Sequence, residues 1–201
     1  MAGKKSTFAS MTLTLFFVTF LSAIILGFVQ EITKEPIRLS KINEQNVAIS
    51  AILPPFKELS EPWYAKTGDS DSVEVFNAYD SDRKKVGMAI NTYSKNGFGG
   101  LIRIIVGFNA EGVITGYRVL EHKETPGLGS KMAEWFMDST RVEQCVVGRN
   151  PEESNLTVRK DGGDIDAISA STITSRAFLE ALRRAHSAVT GSADGVSGAS
   201  Q

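Results

Sequence analysis

Residues 101–120 read LIRIIVGFNAEGVITGYRVL and contain two apolar runs separated by a polar turn. The runs, 101–108 and 113–120, are rich in Ile and Val, which are enriched in β-strands. The four residues between them, 109–112, read NAEG, and Gly112 can adopt the positive φ that a tight hairpin connection needs. This stretch therefore predicts a β-hairpin, which sets the class of the surrounding fold.

The segments on either side of the hairpin complete an α+β pattern. Residues 73–79 and 86–93 alternate or run apolar in the manner of strands, with a polar turn between them. Residues 172–189 read TITSRAFLEALRRAHSAV and place apolar side chains on one side of a predicted helix. Shorter apolar segments predict a helix at 130–138 and strands at 144–147 and 156–159. We therefore expect a compact mixed α/β domain with antiparallel strands.

The amino end is a long apolar segment without charge. Residues 6–30 contain no Asp, Glu, Lys or Arg, and residues 8–29 read FASMTLTLFFVTFLSAIILGFV. A hydrocarbon core of roughly 30 Å needs about 20 apolar residues in a helix, so this run predicts a transmembrane anchor. The alternative is a cleaved signal peptide, whose apolar region is usually only about 7–15 residues long. Lys4 and Lys5 precede the span, so the positive-inside rule places this end in the cytoplasm and the rest of the chain outside.

The composition predicts four segments. They are a cytoplasmic tip with the anchor, a helical neck with Pro36 as a kink or a restart, an extracytoplasmic domain and a disordered tail, at residues 1–30, 31–55, 56–190 and 191–201. The 22 basic residues balance 23 acidic ones, so the basic excess that is typical of nucleic-acid binding is missing, and we expect no nucleic acid as a partner. The single Cys excludes an internal disulfide and a CxxC metal signature.

Five hydroxyl side chains crowd the start of the last predicted helix. Residues 169–175 read SASTITS. One Ser or Thr at the N-cap satisfies a free N–H group and contributes about 0.5–2 kcal/mol, which accounts for one or two of the hydroxyls. A helix amino end also gathers free N–H donors and a partial positive charge, which suit a phosphate group. Both capping and a phosphate-bearing ligand are compatible with these residues.

A segment rich in Pro and Gly follows the hairpin. Residues 121–129 read EHKETPGLG, a backbone that is locally fixed and open to close approach by a flat ligand. An ordinary turn between a strand and a helix has the same composition. Residues 96–100 read NGFGG; they predict a flexible loop between strands and match no glycine-rich phosphate motif.

Several of these segments together resemble a known family. LEHKETPGLGSKM at residues 120–132 and DAISASTITSRA at residues 166–177 are similar to the FMN-binding domain of the G subunit of the Rnf electron-transport complex. The C subunit of the sodium-translocating NADH:quinone oxidoreductase is a close relative of that family. The resemblance also includes GFGGLIRIIVGFNAEGVITGYRVL at residues 97–120 and the single amino-terminal anchor.

The resemblance implies that FMN is joined through its phosphate to a threonine hydroxyl in a motif of the form D-x-x-[S/T]-G-A-T. Residues 166–172 read DAISAST, which makes Thr172 the implied attachment residue. Ala170 and Ser171 stand where the family has Gly and Ala, and Ser171 offers a second hydroxyl beside Thr172. If the family's glycine has a positive φ, Ala170 is strained by roughly 1–2 kcal/mol.

Further cofactor contacts follow from the chemistry of the helix start and, for the flavin ring, from the same resemblance. Around the phosphate we expect hydrogen bonds from hydroxyls and backbone N–H groups, with Lys131 as a counter-charge. We expect the isoalloxazine ring to lie against the ETPGLG loop, with Leu128 on a ring face. The predicted cofactor-binding residues are Thr172 as the covalent FMN phosphoester, together with Ser169, Ser171, Thr174, Ser175, Glu124, Thr125, Gly127, Leu128, Gly129 and Lys131.

The family implies a function in electron transfer. The chain would be a membrane-anchored subunit that relays electrons through covalent FMN in an ion-translocating ferredoxin:NAD⁺ oxidoreductase, a redox subunit of a larger assembly rather than a stand-alone enzyme. Its partners would be the other membrane subunits and, for maturation, an FMN transferase. The location implied is the inner (cytoplasmic) membrane, with a single pass and a periplasmic main domain. The alternative is a non-catalytic anchored scaffold, or a subunit that binds a phosphate ligand non-covalently.

Overall fold

The computed structural model describes residues 7–67 and 71–190, so the tail predicted at 191–201 lies outside the described residues. Its helices are α1 (Phe8–Ile52), α2 (Met132–Trp135) and α3 (Thr172–Thr190), with short 3-10 turns at Gly129–Lys131 and Arg159–Asp161. Its strands are β1 (Glu58–Leu59), β2 (Trp63–Lys66), β3 (Ser72–Tyr79), β4 (Lys85–Gly97), β5 (Gly100–Asn109) and β6 (Ile114–Glu121).

The six strands form one antiparallel sheet. Its order is β1-β3-β4-β5-β6, and β2 also pairs with β3. The predicted hairpin is β5 and β6, in which Val106 lies opposite Tyr117 and Gly107 opposite Gly116. Gly112 has a φ of +81° in the connection, as the turn requires. The predicted α+β class with antiparallel strands is therefore confirmed.

α3 covers one face of the sheet. Phe178 is fully buried at its centre, with its ring 4.5 Å from that of Phe136 and 4.7 Å from that of Tyr117. Burial of one such side chain stabilises the fold by about 1.5–3 kcal/mol. The sheet meets this cluster with alternate side chains of β5, namely Ile102, Ile104, Val106 and Phe108. The apolar stripe that the sequence predicted on the last helix therefore forms the main core.

The last turns of α1 cover the opposite face. Ile49 and Ile52 are buried there against Ile105 of β5. The contact is close, because the Thr115 hydroxyl donates a hydrogen bond to the Ile52 carbonyl oxygen and a side chain at Gly107 would come within 2.7 Å of that oxygen. Both faces of the central strands are consequently buried, which explains why β5 reads as a continuous apolar run.

α1 is one uninterrupted helix of 45 residues that passes through Pro36. It contains an 18-residue window with a mean hydropathy of 2.3, and within the described chain it is the helix long and apolar enough to cross a membrane. The predicted anchor and neck are thus parts of one helix, and the helix does not restart at Pro36. The chain divides into compact units at Met1–Glu44 and Gln45–Gln201, so the last turns of α1 belong to the unit that contains the sheet.

Two predicted strands are not formed. Residues 144–147 and 156–159 lie in turns, apart from an isolated parallel bridge between Val158 and Ile165. The side chains in these segments are nevertheless core residues, among them Val146 and Leu156. The strand prediction was wrong because a run of about four residues is too short for its periodicity to distinguish a strand from a buried connection.

The helix predicted at 130–138 is shorter than expected. It consists of the 3-10 turn Gly129–Lys131 and the single helical turn of α2. β1 and β2 were not predicted, because two and four residues are too few to show a period. The last helix was predicted to within one residue of its observed end.

His186 on α3 makes the stability of this core depend on pH. Its side chain is 14% exposed, its ring lies 6.3 Å from that of Phe108, and its Nε2 is 3.8 Å from the Glu152 carboxylate. Burial lowers the pKa of His186, and the opposing effect of Glu152 is smaller. Since the folded chain then binds the proton less readily than the unfolded chain, stability is lost as the pH falls below about 6.5.

We therefore expect the free energy of unfolding of the protein in detergent to decrease between about pH 7 and about pH 5. His186→Gln removes the titrating group and is expected to show a smaller decrease over the same range. Denaturant unfolding at both pH values measures the difference. The carboxyl groups whose pKa is lowered, such as Asp161, titrate well below this window and affect both proteins alike. An identical pH dependence for the two proteins would contradict the prediction.

Candidate functional site

The amino end of α3 carries free hydrogen-bond donors. The first three backbone N–H groups of the helix, those of Thr172, Ile173 and Thr174, have no hydrogen-bond partner within the described chain. Such groups, together with the helix dipole, give the end of a helix a partial positive charge. This end of α3 therefore has the donors and the polarity that an anionic ligand needs.

The five hydroxyls of residues 169–175 divide into two groups. Ser175 accepts a hydrogen bond from the Ile168 N–H at 2.9 Å and donates one to the Ser171 carbonyl at 3.0 Å, and Thr174 donates one to Glu124. The hydroxyls of Ser169, Ser171 and Thr172 have no such partner among residues 7–67 and 71–190. Ser171 and Thr172 line a cavity that opens at the start of α3, and they are buried and half-buried respectively. These two hydroxyls are therefore available for chemistry.

Ala170, two residues before the first residue of α3, has a φ of +61°. This is the left-handed region that favours glycine. The condition under which strain at Ala170 was expected, a positive φ, is therefore met. A β-carbon in this conformation costs roughly 1–2 kcal/mol.

A cavity of about 430 Å³ opens in front of the α3 amino end. Its volume is within the range of small-ligand pockets. Three segments supply the walls: the turn between β4 and β5, the loop after β6 and the start of α3. The lining residues are Phe98, Glu124, Thr125, Leu128, Gly129, Ala170, Ser171, Thr172, Ile173 and Thr174.

Glu124 joins the three walls. Its side chain is buried, its Oε1 accepts a hydrogen bond from the Gly99 N–H at 2.9 Å, and its Oε2 accepts one from the Thr174 hydroxyl at 2.5 Å. Each bond to a charged acceptor contributes about 1.5–3 kcal/mol. The carboxylate thereby fixes the loop after β6 against both the β4–β5 turn and the first turn of α3.

Glycine is required where these walls meet. A β-carbon at Gly99 would lie 2.0 Å from the Lys123 carbonyl oxygen, and one at Gly129 would lie 2.5 Å from the Glu124 carboxylate and 2.8 Å from the Thr174 hydroxyl. Real β-carbon contacts are essentially never so short. Gly99 of the NGFGG segment and Gly129 of the ETPGLG segment therefore serve close packing between the walls.

The turn between β4 and β5 is held from its other side by Glu180 of α3. Its Oε2 accepts hydrogen bonds from the Ser94 hydroxyl at 3.0 Å and from the Asn96 side-chain amide at 2.8 Å. Its Oε1 is 3.3 Å from the guanidinium of Arg184, which is also buried. The turn that carries Phe98 is thus tight and anchored at both ends, whereas the sequence predicted a flexible loop.

Apolar side chains form the rim of the cavity. Phe98 is 70% exposed, and Leu128 and Ile173 are 42% and 49% exposed. Exposed apolar groups around a cavity are typical of a binding surface. Such a rim suits a flat aromatic group better than a small polar ion.

The structure brings together seven of the predicted site residues at the cavity, namely Glu124, Thr125, Leu128, Gly129, Ser171, Thr172 and Thr174. The others do not line it: Ser169, Gly127 and Lys131 are exposed, and Ser175 is buried within the helix start. Sequence reasoning missed Phe98, Ala170 and Ile173 as lining residues. The paired glycines around Phe98 were the available signal for the first of these. Within the described chain, no group of His, Cys, Asp and Glu residues has the arrangement of a metal site.

The cavity beside the antiparallel sheet, at a hydroxyl-bearing helix start, has the space and the donors that a domain for phosphate-bearing ligands needs. In agreement, residues 97–187 match the FMN-binding domain family. The chain is 31% identical over 163 residues to the G subunit of the ion-translocating oxidoreductase complex of Erwinia tasmaniensis, covering 78% of this chain and 77% of that protein. It is 34% identical over 167 residues to the G subunit of the same complex from Salmonella typhi, covering 78% and 79%. The chain belongs to the family of ion-translocating oxidoreductase G subunits.

A solved structure is also similar. The crystal structure of NqrC from Shewanella oneidensis matches 61% of this chain and 61% of its own, with 22% sequence identity and a TM-score of 0.41.

Proposed function

We propose that this chain is a membrane-anchored electron-transfer subunit of an ion-translocating ferredoxin:NAD⁺ oxidoreductase, and that it holds FMN through a phosphoester to Thr172. One observation carries the proposal. The Thr172 hydroxyl has no hydrogen-bond partner within the described chain and lies at the free amino end of α3, in a cavity walled by the ETPGLG loop. Family membership supports the cofactor, since the match to the FMN-binding domain includes all of these walls.

The α3 amino end suits a phosphodiester. A phosphate monoester carries about −1.5 to −2 charges at neutral pH, and esterification to a hydroxyl leaves one negative charge. Three free N–H groups and the helix dipole match a single negative charge. Ser171 is more enclosed than Thr172 and its N–H donates to the Ile168 carbonyl, so Thr172 is the more accessible of the two hydroxyls.

The rest of the cavity suits the flavin ring. Leu128 and Phe98 would pack on the ring, and the backbone of residues 125–129 would lie along its polar edge. When bound, FMN supplies the capacity to transfer electrons singly or in pairs. The chain's own residues bind the phosphate, orient the ring and exclude water from the Glu124 side of the cavity. Thr174 and Glu124, which are bonded to each other, hold the two walls at a fixed spacing.

The same proposal assigns a place in the cell. The apolar part of α1 anchors the chain in the cytoplasmic membrane with Lys4 and Lys5 inside, and the FMN-binding domain lies on the extracytoplasmic side. The partners are the other membrane subunits of the complex, and an FMN transferase forms the ester. A covalent tether suits this compartment, because a flavin held non-covalently would be lost by dilution.

The intact mass of the chain, expressed together with an FMN transferase, tests the proposal. We expect a mass gain of one FMN less one water, with flavin fluorescence that remains on the denatured protein in a gel. An unmodified chain, beside an authentic G subunit that is modified in parallel, would contradict covalent attachment. That outcome would favour a subunit that binds a phosphate ligand non-covalently or a scaffold.

Ala170→Gly is expected to stabilise the domain by about 1 kcal/mol. The substitution removes the β-carbon from a residue with a φ of +61°, and the relief exceeds the added flexibility of the unfolded chain. Denaturant unfolding of the protein in detergent measures the gain. Ala188→Gly, in the last turn of α3, is the control and is expected to lose stability, by at most about 1 kcal/mol. If both variants lost stability equally, the strain at Ala170 would be disproved.

A further inference from the structure

Glu124 places a buried negative charge in the cavity wall. Both of its carboxylate oxygens accept hydrogen bonds, one from the Gly99 N–H and one from the Thr174 hydroxyl, and both donors are neutral groups. In the part of the chain that the structure describes, no Lys, Arg or His lies within ion-pair distance of Glu124. Glu180, a second buried carboxylate, which holds the β4–β5 turn, is paired with Arg184.

The position of this charge is fixed by close-packed backbone. A β-carbon at Gly97 would lie 2.6 Å from Oε1 of Glu124, and one at Gly129 would lie 2.5 Å from Oε2. The carboxylate is therefore enclosed on both sides and cannot turn away from the cavity. A charge in such a site interacts strongly with its neighbours, because little water screens it.

We propose that Glu124 sets the redox potential of the site by opposing reduction of the flavin. The inference rests on the proposed function, since it requires FMN in this cavity. Reduction of FMN by two electrons, with uptake of one proton, leaves one additional negative charge on the cofactor. A fixed carboxylate in the wall repels that charge, so it lowers the midpoint potential and makes the reduced cofactor a stronger electron donor. Glu124 acts through its field and through the walls that it holds, without a chemical step of its own.

Two isosteric substitutions separate charge from structure. Glu124→Gln keeps an acceptor for the Gly99 N–H and a polar partner for Thr174 while it removes the charge, so the midpoint potential is expected to rise. Thr174→Val keeps the shape of residue 174 and the charge of Glu124, but it removes one of the two hydrogen-bond donors to that carboxylate. Because the charge is then compensated less, the midpoint potential is expected to fall. Glu121→Gln, at the exposed end of β6, changes the net charge equally and is expected to leave the potential unchanged.

The measurement is an equilibrium titration of the flavin-loaded protein with dithionite as the electron donor, at mildly alkaline pH, with thermal unfolding recorded in parallel. Opposite shifts for Glu124→Gln and Thr174→Val support the proposal, because a general loosening of the cavity would move both in one direction. An unchanged potential in Glu124→Gln, or shifts of the same sign in both variants, would overturn it. If Glu124→Gln does not fold, the test rests on Thr174→Val alone. Any result for that variant except a lower midpoint potential then overturns the proposal. Absence of FMN from the wild type in the mass measurement identifies instead a failure of the proposed function, which also removes the inference.

Discussion

Thr172→Ala is expected to abolish covalent attachment of FMN completely. The substitution removes the hydroxyl oxygen that the proposed phosphoester needs. Of the other cavity-lining hydroxyls at the start of α3, that of Thr174 is bonded to Glu124 and that of Ser171 is more enclosed. The intact mass should lack the gain of one FMN less one water, and the denatured protein should lack flavin fluorescence. Because Thr172 is half-buried and its hydroxyl bonds to no other group in the described chain, the fold should be retained.

Ser171→Ala is the matched control for this prediction. Ser171 is the adjacent residue, its hydroxyl also lines the cavity, and the substitution removes the same group. We expect the full mass gain in this variant. If the gain is lost in Ser171→Ala and retained in Thr172→Ala, the flavin is attached one residue earlier than we propose. Loss in neither variant would place the attachment elsewhere in the chain.

Gly99→Ala is expected to give the largest loss of stability of any single methyl addition at the site. The new β-carbon would lie 2.0 Å from the Lys123 carbonyl oxygen and 2.4 Å from its carbon, both of which are backbone atoms that cannot rotate away. Overpacking typically costs about 1–3 kcal/mol, and a backbone clash of this size belongs at or above the upper limit. Relief of the clash requires the β4–β5 turn to separate from the loop after β6, which breaks the bond between the Gly99 N–H and Glu124. We therefore also expect lower flavin content.

Gly100→Ala provides the comparison, since it makes the same change at the next residue. Gly100 has a φ of +92°, but a β-carbon there meets no atom within 4 Å, so only backbone strain of roughly 1–2 kcal/mol is expected. Denaturant unfolding of both variants gives the two free energies, and intact mass gives the flavin content. Equal losses for the two variants would show that the close approach at Gly99 is not needed.

Long periodic segments were predicted correctly from the sequence, for a physical reason. In β5 and β6 the two apolar runs and Gly112 agree on one hairpin, and α3 repeats the same apolar stripe over 19 residues. Each element is thus specified several times over by its own residues. Short segments lack that redundancy, and residues 144–147 and 156–159 contribute core side chains from turns.

The site was predictable only in part. The resemblance identified the ETPGLG and SASTITS segments, and the structure brings both to one cavity. Phe98 was missed because its turn gains order from distant side chains: Glu124 is 25 residues from Gly99, and Glu180 is 84 residues from Asn96. Contacts between residues so far apart in the chain cannot be predicted from local composition. The hydroxyls of Thr174 and Ser175 form hydrogen bonds, whereas that of Thr172 forms none within the described chain. This difference also arises only in the folded chain, so the sequence did not reveal it.

The burial of both sheet faces determines how a soluble fragment should be cut. A fragment that begins at Gln45 retains Ile49 and Ile52, which bury the sheet face opposite α3 from solvent. One that begins at residue 56, where the sequence alone places the start of the domain, would leave Phe76 and Ile105 open to solvent as an apolar patch. Crystallisation and NMR samples made from the longer fragment should stay monomeric, while the shorter one should precipitate or recruit chaperones during expression.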